Sequence, residues 1–192
     1  ESAGIAVVKD TKLKIHKDMG LVDSVFDEEI IANLPGNAGI GHVRYSTTGS
    51  SYIANTQPLL INSVKGCLAL AHNGNLVNGY DLRISLEKDG SIFHSSLDTE
   101  VIAHLIARSN QSSIEDALLE SLKRVKGAYA LVVQTGEALF GVRDPYGIRP
   151  LVLGKLDNGY ILASETCALD IVNAKYIRDI KPGEVVIIDK NG

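Results

Sequence analysis

A chain of 192 residues fits one domain and is long enough to bury roughly 70% of its unfolded surface. Hydrophobic residues make up 45% and charged residues 22%, as in ordinary globular proteins. The net charge of −4 is spread over both signs and offers no basic surface to nucleic acid, and no apolar run approaches the ~20 residues a membrane helix needs, so neither partner is expected.

The first residues, "ESAGIAVVK", begin at Glu1 without an initiator Met. They read as the middle of a strand, which suggests a piece of a longer protein. Apolar, β-branched runs between turn residues predict strands at Gly4–Val8 and Lys12–His16. A helix is expected over Leu21–Leu34, stopped by Pro35-Gly36. Strands follow at Gly39–Tyr45, Leu59–Val64 and Cys67–Ala71. The last ends in His72-Asn73-Gly74-Asn75, where Asn73-Gly74 predicts a turn. Asn78–Lys88 carries a helical pattern. Asp98–Ser109 sets Val101, Ile102, Leu105 and Ile106 on one face behind Asp98 or Thr99. Ile114–Val125 starts after Ser112-Ser113. Further strands are expected at Ala128–Thr135, Ala138–Val142, Leu151–Leu156, Tyr160–Ala163 and Val185–Asp189, with a hairpin turn at Asp157-Asn158-Gly159.

Several of these strands are apolar on both sides, as strands covered on both faces are. Strands outnumber helices, and the helices fall between groups of strands. The expected class is α+β, with two antiparallel sheets packed together and flanked by helices. An open α/β sheet is the alternative, disfavoured because regular strand–helix alternation is missing. Cys67 and Cys167 lie far apart in sequence, which speaks against a disulfide framework and for a reducing cytoplasm. Two cysteines alone also cannot supply a four-cysteine iron–sulfur site.

Three stretches could carry chemistry. In "GIGHVRYSTTGSS" a strand ends in Arg44 beside hydroxyls. An Arg fork suits a carboxylate, although most arginines are solvated or structurally paired. In "AHNGNL" the Asn73 amide and the Gly74 backbone N–H could converge as oxyanion donors, and Gly lets a substrate approach closely; a plain turn is the alternative. In "SSLDTEVIAHLIA" Asp98 could be a helix cap or a fixed carboxylate for an ammonium. Asp144-Pro145-Tyr146-Gly147 reads as a turn, and Cys167 sits near a helix start, where a thiol pKa can fall, although a buried small hydrophobe explains it as well. Taken together, Arg44, Asn73-Gly74 and Asp98 cover the carboxylate, the oxyanion and the ammonium of an amino acid whose side-chain amide is hydrolysed. A nucleophile is not among them.

At these residues the sequence resembles the glutaminase domain of the glutamine phosphoribosyl pyrophosphate amidotransferases, class II glutamine amidotransferases of the N-terminal-nucleophile hydrolase type. The likeness runs through "ESAGIAV", "GIGHVRYSTTGSS", "NTQPL", "ALAHNGNLVN", "LDTEVIAHLIARS", "KGAYALV", "GVRDPYGIRPLVLG", "ASETCALD" and "YIRDIKPGEVV". It implies one glutaminase domain over residues 1–192 with a four-layer αββα fold. By the same resemblance Arg44, Thr47 and Thr48 would hold the glutamine carboxylate and Asp98 its ammonium. Asn73 and Gly74 would form the oxyanion hole.

The family's nucleophile is a cysteine at the mature N-terminus. This chain begins within the family's "RGQESAGIA" motif, so that cysteine, with the first strand and helix, is expected to lie upstream. The chain alone is therefore expected to be inactive as a glutaminase. A phosphoribosyltransferase domain, with its Mg²⁺, would follow Gly192, and an iron–sulfur cluster belongs to some members. No cofactor is expected in this chain itself. Glutamine as substrate, the transferase domain in cis, a homo-oligomer and a cytoplasmic location complete what the resemblance implies. Two alternatives stand beside it: a non-catalytic interaction module on the same scaffold, and the glutaminase domain of another class II amidotransferase.

Overall fold

The computed structural model describes residues 1–45 and 52–192. In chain order its elements are β1 (Ser2–Lys9), β2 (Lys12–Met19), α1 (Val22–Val25), α2 (Glu28–Ala32), β3 (Ala38–Arg44), β4 (Leu59–Ser63), β5 (Gly66–Leu76), α3 (Gly79–Lys88), α4 (Asp98–Arg108), α5 (Ile114–Leu122), β6 (Gly127–Thr135), β7 (Ala138–Arg143), β8 (Val152–Leu156), β9 (Gly159–Ala163), α6 (Thr166–Ile171), β10 (Lys175–Asp179) and β11 (Val185–Asp189). Every strand pairing is antiparallel.

Among the described residues the strands form a five-stranded sheet, β11-β7-β6-β5-β4, and two three-stranded sheets, β2-β1-β3 and β10-β8-β9. Strand alternation explains how the five-stranded sheet is covered on both faces. On β5, Leu68 and Leu70 face the helices with Ile102, Ile106 and Leu118. The alternate residues, Ala69 and Ala71, face Ala6 and Ile40 of β1 and β3. Further along the same inner face, Ala130 of β6 packs with Leu151, Leu153 and Ile180 beside β8. The outer face of β8 and β9 is closed by Leu169 of α6. The result is four layers, helices on sheet on sheet on helix. Full burial of side chains such as Leu70 and Leu131 stabilises the helix–sheet interface by about 1.5–3 kcal/mol each.

The α+β architecture of antiparallel sheets flanked by helices matches the expectation. Local structure departs from the sequence reading at Leu21–Leu34, at β10 and, within the site, at Asn73-Gly74 and Asp98. The single helix over Leu21–Leu34 is two short ones, because Asp27 leaves the helical conformation and accepts the N–H of Ile30 as the cap of α2. Strand β10 escapes a pattern search because it is largely exposed and carries no apolar face.

Candidate active site

A cavity of about 950 Å³ opens between the layers, lined by Arg44 at the end of β3, His72 to Asn75 on β5, Ser96 to Asp98 at the start of α4, Arg149, and Ala163-Ser164 at the end of β9. Arg44, Asn73, Gly74 and Asp98, named from sequence, all line it. Thr47 and Thr48 lie outside the described residues.

The predicted turn at Asn73-Gly74 is wrong. Strand β5 continues to Leu76, with Asn73 opposite Ala130, Gly74 opposite Tyr129 and Leu76 opposite Gly127 of β6. Asn-Gly signals a turn when the chain must reverse; here the ladder to β6 keeps it extended. Period-2 alternation puts Asn73 on the face of Ala69 and Ala71, toward the cleft between sheets, where it is exposed. Gly74 has φ +151°, and a Cβ there would overlap the carbonyl oxygen of Ala128. Only glycine fits that close approach of two backbones.

Asp98 is not the cap of α4. The capping position is Leu97, and Asp98 is the first helical residue. Its Oδ2 accepts the backbone N–H of Leu76 at 2.8 Å, and its Oδ1 lies 3.3 Å from His72 Nδ1. Burial pushes the Asp98 carboxyl up, but the His72 hydrogen bond and charge, with the Leu76 and Thr99 backbone N–H groups, outweigh it and hold the pKa below the ordinary value.

The segments around Asp98 are held from several sides. Glu100 accepts the backbone N–H groups of His94 and Ser95, each at 2.8 Å, and the Ser95 hydroxyl at 2.6 Å. The Asn55 amide donates to Ser96 Oγ and its oxygen accepts the Ser96 N–H. At the other rim, buried Asp144 accepts N–H groups from Tyr129, Tyr146, Ile148 and Arg149. That pins the loop that carries Arg149 to the cavity.

Sequence reasoning missed His42, His72 and Gln57, which also line the cavity. Their signal was a polar residue inside an otherwise apolar strand or beside one. Gln57 clamps the His72 backbone, accepting its N–H at 2.7 Å and donating to its carbonyl at 3.3 Å. Burial drives the His42 pKa down to about 4, helped by His72 and Arg44 and opposed by a hydrogen bond to the His72 backbone. Neither Cys67 nor Cys167 lines the cavity. Burial pushes the Cys67 thiol up, and Cys167 is exposed beside Glu165.

Together these groups give one cavity a guanidinium, an ionised carboxylate, a side-chain amide and a backbone N–H beside it. A guanidinium suits a carboxylate, a fixed carboxylate suits an ammonium, and paired N–H donors suit a developing oxyanion.

A profile of the glutamine amidotransferase domain matches residues 42–170. The chain is 47% identical to an amidophosphoribosyltransferase of Bacillus subtilis and 51% identical to one of Synechococcus elongatus, in each case over its whole length and 40% of the relative's. It thus spans about two fifths of the curated relatives it matches. It superposes on the B. subtilis glutamine phosphoribosylpyrophosphate amidotransferase complexed with ADP and GMP with a TM-score of 0.94 at 47% identity, covering 100% of this chain and 42% of that one. A predicted glutamine amidotransferase of Pseudomonas aeruginosa gives 0.64 at 15% identity, with 100% of this chain and 85% of that one covered; this is a likeness of fold.

Proposed function

The chain belongs to the glutamine amidotransferase domain family, and from that premise we propose that its cavity binds glutamine as the ammonia-supplying domain of an amidophosphoribosyltransferase. The observation that carries the reading is the convergence of Arg44, Asn73, Gly74 and Asp98 on one cavity. The glutamine carboxylate pairs with Arg44, and its ammonium with Asp98. The side-chain amide then lies toward Asn73 and Gly74. Thr47 and Thr48 assist Arg44 in this reading.

Hydrolysis needs a thiolate to attack the amide carbon. As the C–S bond forms, negative charge gathers on the oxygen, where the Asn73 amide and the Gly74 N–H stabilise it. Collapse of the adduct breaks the C–N bond and expels ammonia, its nitrogen taking up the proton that the thiol lost on ionising, and water hydrolyses the glutamyl thioester to glutamate and the free thiol. Cys67 and Cys167 do not line the cavity, so in this reading the thiolate comes from sequence outside these 192 residues, and the chain alone binds glutamine without turning it over.

In the whole enzyme the ammonia passes to a transferase domain in cis and displaces pyrophosphate from the phosphoribosyl substrate. In this reading the Mg²⁺, any iron–sulfur cluster and the homo-oligomeric assembly belong to that larger protein, which works in the cytoplasm. Among the described residues no helix is long and apolar enough to cross a membrane, and no three His, Cys, Asp or Glu side chains cluster as metal ligands.

Asn73→Ala in the complete enzyme tests the reading. Losing one oxyanion donor lowers glutamine-dependent turnover by about 10²–10³-fold, while synthesis from free ammonia continues at the parent rate. Equal loss of both activities contradicts the assignment.

A further inference from the structure

His72 is the buried side chain beside the cavity that the mechanism above leaves without a task. It is 4% exposed, and Gln57 fixes its backbone from both sides. Its ring meets α4, with Nδ1 3.3 Å from Asp98 Oδ1 and 3.2 Å from Thr99 Oγ1. An ionised carboxylate only accepts hydrogen bonds, so the nitrogen facing it carries the hydrogen. The ring therefore points its Nδ1–H at Asp98 and turns Nε2 the other way. That Nε2 is buried with no hydrogen-bond partner among the described residues. A buried polar atom left without a partner is destabilising, and an aliphatic residue continuing the Leu68–Leu70 face would avoid it. The ring's contribution therefore lies at Nδ1.

We infer that His72 is a positioning residue: its Nδ1–H holds the Asp98 carboxylate, already tied to the Leu76 N–H, in the one orientation that presents it to the α-ammonium of the bound amino acid. The inference rests on the glutamine reading of the cavity. With both oxygens anchored, one by a strand amide and one by the ring, the carboxylate cannot rotate away, yet 24% of its side chain stays exposed. Selectivity for a ligand bearing an ammonium over the same ligand without one then depends on a residue that does not touch the ligand.

Calorimetric titration of the chain with L-glutamine and with glutaramate, which keeps the amide and the carboxylate but lacks the ammonium, tests it. The parent chain prefers L-glutamine by about 10–100-fold, the range for a hydrogen bond to a charged group. His72→Leu brings the two ligands within about threefold by weakening L-glutamine alone. His72→Asn restores the preference, because its amide nitrogen sits where Nδ1 sat, and His72→Gln, whose nitrogen reaches the Nε2 position, does not. If the leucine variant fails to fold, the asparagine and glutamine pair decides the question. Two results overturn the inference: a His72→Leu or His72→Gln variant that keeps the parent preference, and variants that weaken both ligands equally. A parent chain that shows no preference, or binds neither ligand, instead overturns the glutamine reading itself. A parent preference that Asp98→Ala abolishes and His72→Leu leaves intact overturns only the role of His72.

Discussion

Leu76, the last residue of β5, donates its backbone N–H to Oδ2 of Asp98, the first residue of α4, at 2.8 Å. One carboxylate thus ties the strand carrying the oxyanion donors to the helix layer, and it does so on the wall of the cavity. Charge for a ligand and cohesion of the fold are carried by the same group.

That double duty has a pH signature. The folded Asp98 carboxyl lies below its ordinary value of 3.8, so as pH falls the unfolded chain takes up this proton first. Its contribution to stability is therefore present above that value and lost as pH falls through the lower folded pKa. Thermal melts of the parent and Asp98→Asn between pH 7 and pH 2 check this. The stability gap is expected to close in acid; a gap constant with pH contradicts the linkage.

Gly74→Ala should be strongly destabilising, because the new Cβ meets the Ala128 carbonyl and φ is +151°. A loss of about 2–4 kcal/mol, or a fall in Tm of roughly 5–15 °C, is the scale for such backbone strain with overlap. Gly159→Ala is the control, since nothing lies within 4 Å of a Cβ there. Equal melting temperatures for the two variants would mean that β5 and β6 do not approach as described.

How much of this was legible in sequence follows from where the physics is local. Strands such as Val185–Asp189 and the helix from Asp98 announce themselves by periodicity. The single helix expected over Leu21–Leu34 failed on a local signal, Asp27, that the apolar pattern overrode. The Asn73-Gly74 turn failed for a non-local reason, because the ladder to β6 decides the local conformation. Asp98 was legible as a carboxylate near a helix start, but Leu97 holds the cap, and no sequence pattern shows that the carboxylate reaches a strand 22 residues earlier. His72 was invisible as a partner of Asp98 for the same reason: their contact spans two layers.

His42 makes a second pH prediction. Its pKa of about 4 lies below that of a free histidine, so between about pH 6.5 and 4 the unfolded chain binds a proton that the folded chain refuses. Stability falls as pH drops through that window, by at most about 3 kcal/mol. His42→Gln removes this slope, measurable by urea denaturation at several pH values. A variant whose profile parallels the parent between pH 6.5 and 4 contradicts the burial of a neutral ring.

Titration of L-glutamine into the ¹⁵N-labelled chain, followed at the backbone amides, decides whether the cavity between the sheets is a glutamine site. Saturable shifts are expected at Asn73, Gly74, Leu76 and Asp98. Shifts confined to residues away from the cavity, or no saturable shift at all, would contradict it.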